Sequence, residues 1–231
     1  MKLALVGYGK MGRMVESLAS GYGFDVAVKV DITDNPDGSG ITRERFQGVD
    51  AAIEFTTPDA AIVNIERLAA LAIPTVVGTT GWLAHLQRAR SAVERNHSAL
   101  VWSPNFSIGV NVFLRAVAET SKWMAAQPEY EAWAWEIHHS AKKDAPSGTL
   151  LKLVDEMKKS GFDRKVDVAS NRAGTIAGTH EIGFDSAADT ITLRHTARSR
   201  EGFARGALQA ARWIAGKTGF YEFSDVLFNT K

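Results

Sequence analysis

Residues 3–12 read Leu-Ala-Leu-Val-Gly-Tyr-Gly-Lys-Met-Gly, a short apolar run that leads into the pattern G-x-G-x-x-G. The apolar run predicts a buried strand, and the apolar spacing over residues 14–19 predicts a helix directly after the glycines. In this setting Gly7 permits a tight turn, Gly9 lets a pyrophosphate approach the backbone, and Gly12 lets the helix pack on the strand. We therefore predict a dinucleotide site at the start of the first helix.

A second predicted strand, residues 26–30, ends at Asp31, which lies 19 residues after Gly12. An acidic residue at this spacing binds the hydroxyls of the adenosine ribose. The carboxylate repels the 2′-phosphate of NADP(H), and the next residue, Ile32, is no arginine that could bind that phosphate. We expect NADH to be preferred over NADPH as the cofactor. The alternative is that Asp31 merely ends a strand before the turn at residues 34–38.

The alternation of strands and helices continues to about residue 106, with further strands predicted at residues 51–55, 74–77 and 99–102. This order predicts a Rossmann-type, doubly wound parallel sheet, in which the loops at the carboxyl ends of the strands line the ligand crevice. Taken singly, each loop could be a plain connecting turn. The residues expected at the cofactor are Gly7, Tyr8, Gly9, Lys10, Met11 and Gly12, Asp31, Gly78, Thr79 and Thr80, and Ser103, Pro104, Asn105 and Phe106.

The middle of the chain predicts a second, α+β domain built on an open mixed sheet. A helix from residue 108 to about 126 is followed by a strand at 130–138 that alternates with period two. We expect its tryptophans, Trp133 and Trp135, to face the helices, and Glu136 and His138 to lie on the open face. Further strands are predicted at residues 166–170, 179–184 and 190–196, with Ile191 and Leu193 facing the core.

The domain boundaries follow from this order of elements. Residues 1–106 with 200–231 are expected to form the dinucleotide-binding domain, because the apolar helix and aromatic tail at the end should pack back on the first domain. Residues 107–199 are expected to form the substrate-binding and oligomerisation domain. The second face of its open sheet must also be covered, which suggests self-association.

Residues 136–149 read Glu-Ile-His-His-Ser-Ala-Lys-Lys-Asp-Ala-Pro-Ser-Gly-Thr and gather the groups that a catalytic site needs. His138 can carry a proton near neutral pH, and Lys142 supplies a cation or a second proton. The helix predicted after Ser147 has unpaired backbone amides in its first turn, which bind carboxylates. Singly, each feature is ordinary strand-end, surface or turn chemistry, but together they favour a site for a small acidic substrate. We expect no metal there, because adjacent residues such as His138 and His139 point to opposite faces of a strand.

The composition narrows the classes of partner. The formal net charge of +1 arises from 27 basic and 26 acidic side chains, so no global field recruits nucleic acid or an anionic membrane. The sequence has no cysteine, which excludes disulfides and thiolate catalysis. No run approaches the roughly 20 apolar residues of a membrane span, and we expect a cytoplasmic protein.

The run at residues 136–149 resembles the signature E-x-H-H-x-x-K-x-D-A-P-S-G-T of the 4-hydroxy-tetrahydrodipicolinate reductase (dihydrodipicolinate reductase) family. The glycine loop and the segments at 78–81, 105–107 and 172–174 also look like family segments in the same order, so the likeness covers nearly the whole chain. It implies a nicotinamide-dependent reduction of 4-hydroxy-tetrahydrodipicolinate to tetrahydrodipicolinate in lysine and diaminopimelate biosynthesis. One departure is that this glycine loop has one residue fewer than the family's longer G-x-G-G-R-M-G form.

The resemblance also implies roles for single residues. His138 would be the proton donor, and Lys142 the second donor or electrostatic partner. His139, Gly148 and Thr149 would hold the carboxylates of a small dicarboxylate substrate. We expect a homotetramer as the assembled form.

Two other function classes remain in play at the level of sequence. A short amino-acid or semialdehyde dehydrogenase would use the same first domain, but it has no need of the full run at 136–149. A nucleotide-binding sensor or structural protein would bind NADH and leave His138 and Lys142 dispensable.

Overall fold

The computed structural model describes residues 1–228 and divides into two compact units. The first unit comprises Met1–Ile108 and the segment that begins at Glu201, and the second is Gly109–Arg200. The final residues of the expected range 200–231, numbers 229–231, lie outside the described residues. Within residues 1–228, no helix combines the length and apolar character that a membrane span requires.

The first unit contains a six-stranded, all-parallel sheet. Its strands are β1 (Lys2–Val6), β2 (Asp25–Val30), β3 (Ala51–Glu54), β4 (Thr75–Val77), β5 (Ala99–Trp102) and β10 (Gly219–Glu222). Its helices are α1 (Lys10–Ala19), α2 (Pro58–Ala70), α3 (Leu86–Arg95), α6 (Glu201–Ile214) and α7 (Phe223–Phe228). The strand order is β10-β5-β4-β3-β1-β2.

Helices cover both faces of this sheet, which explains why its central strands are continuously apolar. Leu5 and Ile53 pack with α1 and α6 on one face, whereas Val77 and Leu100 pack with α2 and α3 on the other. The predicted doubly wound fold is therefore confirmed.

The carboxyl-terminal segment completes the first unit. Phe223 and Val226 are buried in the same core as Phe106, and the rings of Phe106 and Phe223 lie 4.8 Å apart. This agrees with the expectation that the aromatic tail packs back on the first domain. Strand β10 itself was not predicted, because Gly-Phe-Tyr-Glu carries no period-two pattern and pairs with β5, far away in the chain.

The second unit contains a four-stranded mixed sheet with the order β7-β6-β8-β9. Its strands are β6 (Glu131–His138), β7 (Val166–Arg172), β8 (Thr179–Asp185) and β9 (Thr190–Thr196), and its helices are α4 (Ile108–Met124), which begins at the unit boundary, and α5 (Gly148–Lys159). β6 is parallel to β7 and antiparallel to β8, and β8 is antiparallel to β9. The predicted mixed sheet is confirmed.

The predicted facing of β6 was wrong. Ala132, Ala134, Glu136 and His138 are all buried, and the two alanines belong to the core formed with the helices, whereas Trp133 and Trp135 are only half-buried. The physical reason is space, since small alanine side chains let the helices approach the sheet closely. Gly183 on β8 makes room for Trp133 on the other face, because a Cβ at Gly183 would lie 2.1 Å from that indole.

The expectation for β9 held only in part. Leu193 is half-buried and packs against the core, but Ile191 is 39% exposed. β9 is the edge strand of the sheet, so its residues have a neighbouring strand on one side only.

Candidate active site

The glycine loop shows a separate structural reason for each glycine. Gly7 has φ +92°, and a Cβ there would lie 2.1 Å from the carbonyl oxygen of Phe55. A Cβ at Gly12 would lie 2.4 Å from the carbonyl oxygen of Gly7, so α1 packs directly on the turn. A Cβ at Gly9 would meet no atom within 4 Å. Gly7 and Gly12 are therefore required by packing, and Gly9 leaves open space that a phosphate group can enter.

Two pockets lie at the carboxyl ends of the strands of the first unit, and Gly9, Phe55 and Thr56 line both of them. The larger, about 450 Å³, also contains Asp31 at its wall. The smaller, about 340 Å³, is lined by a group that includes Lys10, Met11, Gly78, Thr79 and Thr80. The structure thus gathers seven of the fourteen predicted cofactor residues around these two pockets.

Two aromatic residues of the predicted set have their side chains engaged elsewhere. The Tyr8 hydroxyl donates a hydrogen bond to Glu16, and the ammonium of Lys29 lies 5.0 Å from the centre of the Tyr8 ring. Phe106 is 2% exposed and packs in the core against Phe223. Only the backbone of Phe106 can therefore contact a ligand.

The loop after β5 is held by its own hydrogen bonds. The Asn105 amide donates to Oγ of Ser103 at 3.1 Å, and the Ser103 hydroxyl donates to the carbonyl of Asn105 at 2.8 Å. The Ser107 amide donates to Oδ1 of Asn105 at 2.8 Å. Pro104 is exposed at the tip of this turn.

A buried carboxyl group, Glu54, supports the two pockets and was missed at the level of sequence. Glu54 has no exposed surface, and burial raises its pKa against the opposing effect of hydrogen bonds from Thr56 and Thr79. The Thr56 amide donates to Oε1 of Glu54 at 3.0 Å and to Oγ1 of Thr79 at 2.7 Å. Glu54 therefore ties together the loops that follow β3 and β4. The available signal was an acidic residue inside the apolar strand Ala-Ala-Ile-Glu-Phe.

In the second unit, the segment after β6 forms a turn that leads into α5. Ser147 caps this helix, since its Oγ accepts a hydrogen bond from the Leu150 amide at 3.2 Å. Nζ of Lys142 lies 2.7 Å from Oδ1 of Asp144. The pKa of Asp144 is lowered, mainly by the hydrogen bond from Lys142 and to a smaller extent by the amide of Gly148. A lysine cation and the first amide of the helix thus already attract a carboxylate.

The two remaining predicted substrate residues lie on either side of this turn. His139 follows directly after β6 and is half-buried, and its carbonyl accepts a hydrogen bond from the Lys142 amide at 3.1 Å. Thr149 is half-buried in the first turn of α5. Both side chains are accessible enough to contact a ligand.

Behind this turn lies Glu136, which has no exposed surface. It accepts hydrogen bonds from the amide of Ser147 at 2.8 Å, from the Ser147 hydroxyl, from the Ser170 hydroxyl at 3.1 Å and from Arg172 at 2.9 Å. Burial by itself would raise the pKa of Glu136, but the bonds from Ser147 and Arg172 outweigh it and lower the pKa to about 2. Glu136 is therefore ionised.

Two buried imidazoles flank this carboxylate. Oε2 of Glu136 lies 3.4 Å from Nδ1 of His138 and 3.3 Å from Nε2 of His180, and the two rings meet edge to face with centres 5.0 Å apart. Burial lowers the pKa of both residues, that of His180 to about 4. The sequence suggested a cationic acid at 138, but without a ligand the imidazole favours its neutral form.

The trio of Glu136, His138 and His180 also has the composition of a metal site, with one ligand atom from each residue inside a span of 4.8 Å. The expectation of no metal considered only His138 and His139, and β8 brings His180 to this position instead. Glu136, however, already accepts hydrogen bonds from Arg172 and Ser147. The charge of this carboxylate is thus already balanced by Arg172. The trio therefore fits a hydrogen-bonded cluster better than a metal site.

Comparison with protein families decides the affiliation. The family model described as "Dihydrodipicolinate reductase, N-terminus" matches residues 1–106, and the model described as "Dihydrodipicolinate reductase, C-terminus" matches residues 109–227. The chain belongs to the dihydrodipicolinate reductase family. The family assigned from the signature is thereby confirmed, together with the reductase activity and its place in lysine and diaminopimelate biosynthesis.

Curated relatives agree along the full length of this reductase. The 4-hydroxy-tetrahydrodipicolinate reductase of Christiangramia forsetii is 35% identical, with 98% of both chains covered. That of Archaeoglobus fulgidus is 34% identical and covers 98% of this chain and 100% of its own. Both units of the reductase therefore have a counterpart in these relatives.

Among solved structures, the dipicolinate-bound dihydrodipicolinate reductase from Paenisporosarcina sp. TG-14 has a TM-score of 0.83 at 20% identity, with 98% of this chain and 99% of that chain covered. An amine dehydrogenase from Mycobacterium smegmatis has a TM-score of 0.61 at 8% identity, covering 97% of this chain and 95% of its own. At such identities the likeness shows the fold. The first unit has the Rossmann fold, and because residues 1–106 match the N-terminal model of this reductase family, it is the NAD(P)-binding unit.

Proposed function

We propose that this reductase uses NADH to convert 4-hydroxy-tetrahydrodipicolinate to tetrahydrodipicolinate, with His138 as the proton donor. The observation that carries the proposal is the position of Glu136. Its Oε1 accepts the Ser147 amide at the start of α5, while its Oε2 lies 3.4 Å from His138. An anion-binding helix start and a proton donor are therefore neighbours.

The substrate is a small dicarboxylate, and the turn before α5 has the groups to hold it. The amides of Gly148 and Thr149 lie in the first turn of the helix, where backbone N–H groups and the helix dipole favour anions. Lys142 adds a full positive charge, now paired with Asp144. A substrate carboxylate would compete with Asp144 for the same partners, and His139 would contact the substrate from the other side of the turn.

The reaction adds a hydride to the conjugated ring, places a proton on the neighbouring carbon and releases water. The bound nicotinamide nucleotide supplies the hydride. His138 supplies the proton, and Lys142 stabilises the negative charge of the substrate or acts as the second donor. A dianionic substrate near His138 favours the protonated imidazole and thereby offsets the effect of burial on its pKa.

Variants of the two proposed donors test this assignment. With substrate generated in place from aspartate semialdehyde and pyruvate by the preceding synthase, His138→Ala is expected to lower kcat by about 10²- to 10⁴-fold. Its NADH affinity should stay unchanged. Lys142→Ala should lower kcat and raise KM. His85→Ala, which removes an exposed imidazole from the first unit, is the matched control. Wild-type turnover in both active-site variants would remove the proposed site.

The proposed preference for NADH rests on Asp31. Asp31 is exposed at the wall of the larger pocket, and the adjacent Ile32 is 72% exposed and offers no positive charge. Asp31→Ala is expected to weaken NADH more than NADPH. Asp37→Ala is the matched control, because Asp37 is an exposed carboxylate in the same pocket. Equal losses for the two nucleotides, or equal effects of the two variants, would contradict the ribose assignment.

We also propose that the reductase is a cytoplasmic homotetramer that associates through the open face of the second sheet. Trp133, Trp135 and Ala169 line a groove of about 530 Å³ on that face, and Ala169 is exposed. Two half-buried indoles beside an exposed alanine form an apolar surface of the kind that subunits cover. Ala169→Lys is expected to reduce the mass measured by sedimentation, and an unchanged tetramer would contradict this surface. The cysteine-free sequence fits a reducing compartment.

A further inference from the structure

We propose that Glu136 is the positioning residue of the active site, a buried, charged carboxylate that orients the His138 ring and fixes the start of α5 at the same time. This inference rests on the proposed role of His138 as proton donor. Glu136 contacts neither the substrate nor the cofactor in the reaction described above. The evidence for its role is that its two carboxylate oxygens have different sets of partners.

Oxygen Oε1 holds the scaffold. It accepts the Ser147 amide at 2.8 Å, the Ser170 hydroxyl at 3.1 Å and the Arg172 guanidinium at 2.9 Å. Arg172 also donates to the carbonyl of Asp144, inside the turn before α5. Three separate elements, β6, β7 and the start of α5, therefore meet at one oxygen atom.

Oxygen Oε2 faces the imidazoles. It accepts the Ser147 hydroxyl and lies 3.4 Å from Nδ1 of His138. Nδ1 of His138 is buried and has no hydrogen-bond partner among the described residues. A small rotation of the ring would convert this approach into a hydrogen bond, because N–H···O bonds have lengths of about 2.7–3.2 Å.

This arrangement determines which nitrogen of His138 carries the transferable proton. A carboxylate beside Nδ1 favours the tautomer with hydrogen on Nδ1, which leaves Nε2 to gain and lose the second proton. Nε2 lies against Gly178, where a Cβ would be only 2.8 Å away. Gly178 therefore leaves the space that Nε2 needs, and the negative charge of Glu136 stabilises the imidazolium form.

The charged groups around His138 act in opposite directions. Glu136 and Asp144 favour the protonated ring, whereas Lys142 and Arg172 disfavour it, and His180 is the imidazole packed against it. Of the two carboxylates, Glu136 has the larger effect on the pKa of His138. Its removal should therefore shift the protonation of His138 to lower pH.

The same carboxylate controls the anion-binding end of α5. Ser147 donates both its amide and its hydroxyl to Glu136, and its Oγ also caps the Leu150 amide. The position of Gly148 and Thr149 follows from that of Ser147. Loss of Glu136 should therefore raise the KM of the substrate as well as lower kcat.

The test compares Glu136→Gln, which keeps the shape and removes the charge, with Ser170→Ala, which removes one hydrogen bond to the same carboxylate and keeps the charge. Glu136→Gln is expected to lower kcat about 10- to 100-fold. A protonated His138 is required, so activity falls as the pH rises through its pKa, and this high-pH limb should move to lower pH by about one unit. Ser170→Ala should leave the limb in place. The NADH affinity of both variants should equal that of the wild type.

A folded Glu136→Gln variant with an unmoved limb overturns the inference, even if kcat falls, because a merely structural role lowers activity without moving the limb. If that variant does not fold, Glu136→Asp withdraws the charge from His138 by one methylene, and wild-type kcat in this variant overturns the inference. His138→Ala measured alongside separates the two proposals. Wild-type turnover in His138→Ala would refute His138 as the proton donor. If His138→Ala is impaired but the high-pH limb of Glu136→Gln has not moved, only the role of Glu136 is refuted.

Discussion

Replacing Gly9 with alanine is expected to weaken cofactor binding strongly while leaving the fold intact. Gly9 has φ −81°, which alanine adopts without strain, and the added methyl group would meet no protein atom within 4 Å. The methyl group would instead occupy the open space of the two pockets that Gly9 lines, where a pyrophosphate would approach the backbone. Loss of one charge-assisted hydrogen bond costs about 1.5–3 kcal/mol. The Kd for NADH should therefore rise about 10- to 150-fold.

Gly7→Ala is the matched comparison, because the same methyl group would there strike the protein itself. At Gly7 the positive φ costs roughly 1–2 kcal/mol for an L-residue. The approach of 2.1 Å to the Phe55 carbonyl forces a backbone shift. A shift of this kind costs roughly another 1–3 kcal/mol. Gly7→Ala should therefore lose about 2–5 kcal/mol of stability, whereas Gly9→Ala should lose none.

Urea unfolding and fluorescence titration with NADH measure the two quantities separately. We expect Gly9→Ala to have normal stability and weak NADH binding, and Gly7→Ala to have low stability. Normal NADH affinity in Gly9→Ala would refute the placement of the pyrophosphate. A loss of stability in Gly9→Ala as large as that in Gly7→Ala would refute the distinction between open space and packed space at this loop.

The remaining predictions concern the two buried carboxyl groups and the glycine beside His138. Burial raises the pKa of Glu54, so the folded protein keeps a proton that the unfolded chain releases above its pKa of about 4.5, and stability falls as the pH rises above that value. Glu54→Gln should therefore gain stability relative to the wild type between pH 5 and pH 7 in urea unfolding, and a constant difference would contradict a protonated Glu54. The pKa of Glu136 is lowered to about 2, so its stabilising contribution is complete above the unfolded value of 4.5 and is lost as the pH falls through 2. About 3 kcal/mol should disappear over that range at 1.36 kcal/mol per unit, and acid unfolding of Glu136→Gln should lack this loss. Gly178→Ala should lower kcat at least tenfold, since it places a methyl group against Nε2 of His138, and unchanged steady-state kinetics would refute the role of that nitrogen.

The parts of the fold that were predicted are those determined by local sequence. The apolar run and the three glycines at residues 3–12 lie next to each other in the chain, so the strand, the turn and the helix could be inferred together. Strand β10 could not be inferred, because its partner strand β5 lies more than a hundred residues earlier. Local patterns carry no information about such a partner.

The error on β6 has a different origin. Hydrophobicity places tryptophan inside and glutamate outside, but Glu136 is buried because its partners come from other elements. The sheet register sets Glu136 opposite Ser170 on one side and His180 on the other. The sequence alone identified His138 and Lys142 as candidates. The supporting role of Glu136 could be assigned only once that register was known.

The position of β10 also bears on how the chain is made. A ribosome that has just released residue 200 has delivered the whole of Gly109–Arg200, so the inserted unit can assemble during translation. The core of the amino-terminal sheet also needs Leu208, Ile214 and Phe223, which are translated after residue 200. The inserted unit can therefore complete its core before the unit that contains β1.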